Sequence, residues 1–437
     1  MNILHYSLGF PPYRTGGLTK FCFDLMKEQV KEGDQVSLLW PGEIQFFGKR
    51  TKIKKNRGVD DIASFEVINP TPVSYDEGIV DIPAFTVKGD LKVYEQFLQF
   101  VHPNVIHIHT MMGLHKNLLV AAKKMGIKTV FTTHDFFPIC PKVTMFRKAM
   151  ICPDADTYES CSKCNMTALS LRKIQILQSP VYRTLKDSAA VKKLRKGHRD
   201  EYLSGQEVVE GETTRTAEDY RKLREYYKSL LDLIDVVHYN SSVTKEVYEK
   251  YMGERKSVLI PITHGDIKDH RKKKEFKHPL KITYLGPLSG AKGFFRLKAV
   301  LDNLWKEHQD FILNVFFHKE ELPPYIKQHD RYSYSQLKSI MDETDVLVTP
   351  SVWNETFGYT VIEALSYGVP VIVSSHVGAK DIVPAGAGIV FDDEKELTNA
   401  IKSLTKEKLE SMNQTILETF QIQTMESFNK ELRKNVY

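Results

Sequence analysis

The chain has 437 residues, 42% hydrophobic and 27% charged, with 61 Lys and Arg against 55 Asp and Glu for a formal net charge of +6. That length suggests roughly two or three domains of a soluble globular protein. No apolar run approaches the roughly 18 residues of a membrane-spanning helix, and the opening Met-Asn-Ile-Leu-His-Tyr-Ser-Leu lacks the basic lead and long apolar core of a signal peptide, so the expectation is a cytoplasmic protein.

In chain order, the apolar stretch 2–8 reads as a strand, the turn-rich 9–17 as a loop, 18–31 as an amphipathic helix stopped by Gly33, and 35–40 as a second strand. The basic run 49–57 (KRTKIKKNR) follows. Then 105–109 reads as a strand, 114–125 as a helix capped by Gly126, and 128–133 as a strand ending in His134 and Asp135. Strands alternating with helices imply a parallel sheet covered on both faces.

The pattern breaks over 141–231, read as an insertion or extended helical arm. It holds Cys152, Cys161 and Cys164, with Cys140 just before it, and a second basic run at 186–199. Gaps ending in C-x-x-C suit a structural zinc, since four thiolates fix one tetrahedral ion, with reduced thiols or a redox pair as alternatives. A returning strand at 232–240 and another at 257–262 lead into a charged linker, 266–278, containing a third basic run. The basic runs are solvated faces or attract phosphate on anionic lipid. None is interleaved with aromatics for base stacking, so no nucleic-acid partner is expected.

A second strand–helix series begins at 281–285 and runs through the loop 286–293 (GPLSGAKG), a helix from about Phe294, a strand 311–317 and a helix 334–342. A strand 346–349, a helix 359–367 closed by Gly368, a strand 369–373 and a strand 388–391 follow, and the last forty or so residues are amphipathic and helical. The economical architecture is two Rossmann-like domains, 1–265 and 279–420, facing across a cleft, with a helix at 421–437 returning toward the first. Ligands bind such sheets at the carboxyl ends of the strands.

Glu355 lies in the loop before the 359–367 helix and Glu363 on that helix, placed so that one ligand with two sets of hydroxyls could meet both; the alternative for Glu363 is an ordinary surface position. Gly16-Gly17 opens a helix whose amides suit a diphosphate, although the G-x-G-x-x-G spacing of dinucleotide folds is absent. Lys292 stands beside a helix start without the Ser or Thr of a Walker loop. His134, at a strand end, is suited to bonding a sugar or phosphate, or to capping the next segment.

The stretch PSVWNETFGYTVIEALSYGVPVI, with Gly-Gly near the N-terminus and LGPLSGAKG ahead of it, resembles glycosyltransferase family 4. The resemblance implies the GT-B fold and a retaining, metal-independent transfer from a nucleotide diphosphate-sugar to a hydroxyl acceptor. By position it implies that Glu363 binds ribose and Glu355 holds the donor sugar. The amides around Phe357 and Gly358 take sugar hydroxyls, Gly16, Gly17 and Lys292 hold the diphosphate, and His134 faces the sugar. One departure stands out: Pro287 occupies the place of the family's usual arginine, for which Arg14 or Arg296 is a substitute to look for. HDFFPICPK and the later cysteines are similar to bacterial polysaccharide-assembly members, which implies a saccharide or lipid-linked saccharide acceptor for capsule or exopolysaccharide, and zinc or clustered thiols; a lipid-linked acceptor at the inner membrane face, with peripheral attachment there, fits the basic runs. Two rivals remain: a GT-B sugar-nucleotide epimerase, and a nucleotide-sugar-binding protein with impaired catalysis.

Overall fold

The computed structural model describes all residues except 76, 148, 153–156, 189, 190, 192–214 and 320, so most of the basic run at 186–199 lies outside the described residues. In the N-terminal half, the first sheet is built on β1 (Asn2–Tyr6), β2 (Gln35–Pro41), β3 (Lys52–Val59), β4 (Ile62–Ile68), β5 (Val105–Ile108) and β6 (Lys128–Thr132). A small hairpin of β7 (Phe146–Arg147) and β8 (Met150–Ile151) precedes β9 (Val236–Tyr239) and β10 (Ser257–Leu259). The sheet order is β10-β9-β6-β5-β1-β2-β4-β3, parallel except for the antiparallel β3–β4 pair.

The second sheet uses β11 (Leu280–Tyr284), β12 (Phe311–Val315), β13 (Ile326–Gln328), β14 (Val346–Thr349), β15 (Val371–Ser374) and β16 (Gly388–Phe391). Its order is β13-β12-β11-β14-β15-β16, all parallel. The order doubles back at the junction of β11 and β14, the switch point where such sheets open a crevice. The central strands β1, β5, β6, β14 and β15 are buried almost throughout, which is why their sequences are apolar rather than alternating. Two Rossmann-like domains are therefore present, as the alternation implied.

The differences from the sequence reading have local causes. The lysine-rich run 49–57 is mostly strand β3, an exposed edge where lysines blunt further pairing and mask the strand signal. β15 starts at Val371 because Val369 and Pro370 are engaged in helix closure and sheet entry, their backbone groups bonding Ala364 O and Leu347 N. In the region read as an insertion, the helix Ala217–Leu231 buries Tyr220, Leu223, Tyr227, Leu230 and Leu231 and so belongs to the N-terminal core. It starts on a capping box of Thr216 and Asp219, each side chain bonding the other's backbone amide.

The helix Met425–Asn435 lies on the first helix, Gly17–Lys31, of the N-terminal domain. Phe428 meets Phe21 edge-on at 5.3 Å, and Arg433 pairs with Glu32 and Asp34. Because Met425, Phe428 and Leu432 join the cluster that holds Phe21, Val130, Val361 and Val371, one apolar core runs through both domains.

Candidate active site

The loop after β14 is shaped by two glycines with left-handed backbones. Gly293 (φ 76°) ends the 286–293 loop where a Cβ would overlap the carbonyl oxygen of Pro350, so the two loops lie in backbone contact. Val352 N donates to Ala291 O at 2.9 Å across this contact. The result brings Lys292 Nζ within 2.6 Å of Glu355 Oε1, while Ser351 Oγ donates to Glu355 Oε2 at 2.7 Å. The ammonium also stands 5.1 Å from the Trp353 ring centre.

Gly358 (φ 102°) is the N-cap of the helix Tyr359–Ser366 and has no side chain to offer its amides. The positive end of that helix is consequently free for an anion or hydroxyls. Glu363 is 8% exposed rather than on the helix surface, and its Oε1 lies 3.2 Å from His264 Nε2. Burial, then the field of Glu363, raises the Tyr332 hydroxyl to about 12 and pushes Tyr334 in the same direction. Glu363 thus sits in an aromatic recess.

From the N-terminal domain, Gly16 (φ 116°) caps the helix Gly17–Lys31, again with no side-chain cap. A Cβ on Gly17 would come within 3.1 Å of the Tyr359 ring, so this loop abuts the helix carrying Glu363. Thr356 Oγ1 donates to His134 O at 3.1 Å, and Ser241 Oγ donates to Thr356 O at 2.7 Å, tying both strand ends to the Glu355 loop. His134 is partly exposed, packs on Phe21 at 4.8 Å between ring centres, and has its Nε2 3.3 Å from His109 Nδ1. Burial first, then His238, lowers its pKa to about 3. At neutral pH His134 is therefore an uncharged group suited to hydrogen bonding rather than to storing a proton. Trp353 Nε1 and the Tyr359 hydroxyl are buried without a partner among the described residues, as groups awaiting a ligand would be.

The structure thus places Glu355 with Lys292, Phe357 and Gly358 ahead of Glu363 on one helix, Gly16 and Gly17 across from Tyr359, and His134 behind Thr356. The arginine substitutes are occupied elsewhere: Arg14 lies between the Tyr13 and Tyr75 rings and bonds the Tyr75 hydroxyl, and Arg296 bonds Asp392 O. Pro287 O instead accepts from the Tyr284 hydroxyl.

Cys140, Cys152, Cys161 and Cys164 carry thiols close enough to perturb one another: burial, then Cys140, contributes to raising Cys161 to about 12, with Cys152 and Cys164 adding to it. Their chemistry suits a soft divalent ion. Among the described residues, however, the ligand atoms gathered within 4.8 Å are those of His5, His107 and His109, not the sulfurs. Sequence reasoning missed Ser351, Thr356 and His264. The last was marked only by a polar Thr-His-Gly-Asp stretch closing an apolar strand segment.

Comparison with known proteins bears on the family and the fold. Residues 15–163 match the model described as Glycosyltransferase Family 4, and residues 266–419 match Glycosyl transferases group 1. Spore coat protein SA of Bacillus subtilis (strain 168) is 28% identical over 145 residues, covering 28% of this chain and 38% of that protein. Among solved structures, sucrose-phosphate synthase from Thermosynechococcus elongatus superposes with a TM-score of 0.57 at 13% identity, covering 99% of this chain and 97% of that one. Anabaena HepE in complex with UDP gives 0.55 at 14% identity, with 99% of each chain covered. At such identities the likeness is one of fold. Matched in both halves by glycosyltransferase models and built as two Rossmann-like domains, the chain belongs to the glycosyltransferases of GT-B fold.

Proposed function

We propose that the protein transfers a hexosyl group from a nucleotide diphosphate-sugar to a hydroxyl of a saccharide or lipid-linked saccharide, with retention at the anomeric carbon, in the assembly of a surface polysaccharide. The observation that carries this reading is the Lys292–Glu355 pair set before the uncapped helix that also bears the buried Glu363. Glu363 accepts from the ribose diol, with His264 orienting it. Lys292 leaves Glu355 for the diphosphate, and the freed carboxylate accepts from donor-sugar hydroxyls. The helix amides at Phe357 and Gly358, with those at Gly16 and Gly17, stabilise charge growing on the leaving phosphate. The acceptor hydroxyl attacks from the face the phosphate leaves, and a phosphate oxygen takes its proton. Positioning and exclusion of water supply the rest. This route requires no cofactor.

HepE was solved with UDP and with UDP and glucose, so UDP-sugars head a thermal-shift screen that includes GDP- and dTDP-sugars, because a bound donor stabilises by mass action. Glu355→Ala abolishes transfer with the fold intact, and Glu363→Ala weakens nucleotide binding in calorimetry. Near-normal turnover in the first, or unchanged affinity in the second, removes that residue from its role.

For the acceptor side we propose reversible attachment to an anionic membrane. Phe46 and Phe47 are 58% and 93% exposed, and Ile176, Val181 and Leu185 are each more than half exposed. Gln175 Nε2 bonds Gln45 O, which sets these two apolar groups side by side, and exposed Lys49 and Arg50 lead into exposed Lys52, Lys54, Lys55 and Arg57 on β3. Each such cation is worth about 1 kcal/mol near anionic lipid. Co-sedimentation with phosphatidylglycerol vesicles is expected to fall with salt and to be lost in Phe46→Asp/Phe47→Asp. Equal binding to phosphatidylcholine vesicles overturns the proposal. No helix among the described residues is long and apolar enough to cross a membrane. A structural zinc on Cys140, Cys152, Cys161 and Cys164 is likewise proposed. Elemental analysis should find one zinc per chain, absent in Cys161→Ser/Cys164→Ser, and a metal-free wild type rules it out.

A further inference from the structure

Behind His134 runs a continuous row of buried side chains, His5, His107, His109 and His238, joined through Thr132, Gln29 and Tyr437. Burial keeps the rings neutral, lowering His5 and His238 to about 4 and His107 and His109 well below their usual value. A neutral imidazole has one donor and one acceptor, so a row of them has a direction once either end is fixed.

One end and the middle of the row are fixed. His238 Nε2 faces the carbonyl oxygen of Ile260 at 2.8 Å, and a carbonyl only accepts, so the proton is on Nε2 and Nδ1 accepts. Thr132 Oγ1 must then donate to His238 Nδ1 (2.9 Å) and accept from His107 Nε2 (2.6 Å). His107 Nδ1 accepts from the Tyr437 hydroxyl (2.7 Å), whose oxygen is left to accept from Gln29 Nε2 (3.2 Å). Independently, Asn429 Nδ2 donates to the Glu32 carboxylate at 2.9 Å, so Asn429 Oδ1 faces Gln29 and also requires its amide nitrogen there. The two anchors agree. Gln29 Oε1 therefore faces His5 and accepts from its Nε2 at 2.7 Å. His5 Nδ1 accepts from His109 Nε2 (2.9 Å), and His109 Nδ1 accepts from His134 Nε2 (3.3 Å).

We infer that the C-terminal segment, through Asn429, Tyr437 and Gln29, sets the tautomer of His134, so that His134 presents an acceptor Nδ1 to the site and selects a substrate hydroxyl. Nδ1 is the nitrogen of this row with no hydrogen bond among the described residues, and His134 is the member with partial exposure. Its environment includes Asp135 next to it, with Phe21, His109 and the Thr356 loop packed around it. The C-terminal residues are positioning groups, and they act on the donor pocket of the proposed transferase through the row, from beside the helix Gly17–Lys31 whose Phe21 packs on both Phe428 and His134. The inference rests on His134 belonging to that pocket.

The test is the ring nitrogen spectrum of histidine-labelled full-length protein at about pH 7.5, with His134 assigned by loss of its signals in His134→Gln. The expected pattern is protonated Nε2 and bare Nδ1. Tyr437→Phe alone keeps that pattern because Asn429 still orients Gln29. Gln29→Leu, and separately Tyr437→Phe/Asn429→Leu, give mixed tautomers with kcat reduced about tenfold, the size of one hydrogen bond, and with a smaller change in donor KM. A wild-type His134 protonated on Nδ1 or on both nitrogens overturns the inference. So does a pattern unchanged in both Gln29→Leu and the double variant. The spectrum reads the row whether or not transfer occurs: expected tautomers together with wild-type turnover in His134→Gln refute the site assignment and leave the row standing.

Discussion

Gly293 decides the geometry of the site more than any charged residue does. Its left-handed backbone and contact with Pro350 O let the lysine loop lie on the glutamate loop. Gly293→Ala adds strain of roughly 1–2 kcal/mol and a clash with backbone that cannot rotate away, so urea unfolding should shift to lower denaturant by at least that amount. An unchanged midpoint means that the two loops are not locked. Lys292→Met removes the cation without disturbing either glycine, and is expected to lower nucleoside-diphosphate affinity about tenfold or more with the unfolding midpoint nearly unchanged, as a partly exposed pair contributes little to stability. Calorimetry with UDP or GDP reads the first effect. The glutamates and Lys292 were legible in sequence because loops between strand and helix at a sheet's carboxyl edge are where such residues work. Their pairing was not, since 63 positions separate them.

The helix Met425–Asn435 shows how one element can serve stability and the site together. Phe428 and Leu432 are fully buried against the N-terminal domain, and Phe428→Ala should cost about 3–5 kcal/mol by the usual rule for a core aromatic. Loss of less than 1 kcal/mol in chemical unfolding would show that the helix is only loosely docked. Its amphipathic pattern was readable, with apolar residues at Met425, Phe428 and Leu432. The lysine-rich edge strand β3 was not, because an edge carries the polar residues of a loop on the hydrogen bonds of a sheet.

Across the whole molecule, the buried histidines make stability depend on acid. The folded pKa values of His5, His115 and His238 lie at about 4 and that of His134 at about 3, against an unfolded value of 6.5. Above the unfolded value neither state binds these protons and stability is complete. As pH falls below it, the unfolded chain takes up protons that the folded chain refuses, and stability declines until the folded values are passed. Each group contributes up to about 1.4 kcal/mol per pH unit. Urea midpoints should therefore fall clearly between about pH 7.5 and pH 5.5 with uptake of several protons on unfolding. A flat profile means that these rings are not held neutral.

By itself the sequence determined the two α/β domains and put the candidate glutamates on a strand-to-helix loop and the helix after it, because these depend on local periodicity and on residues close together in the chain. Tertiary structure alone decided that Glu355 meets Lys292, that Glu363 is buried on His264, and that Tyr437 reaches His107 across 330 positions. Those are contacts between distant segments, fixed by sheet order and packing, to which no local pattern responds. The histidines show the division most plainly. Each was visible as a residue on an apolar strand, and only their stacking across neighbouring strands turned five separate rings into one directed row.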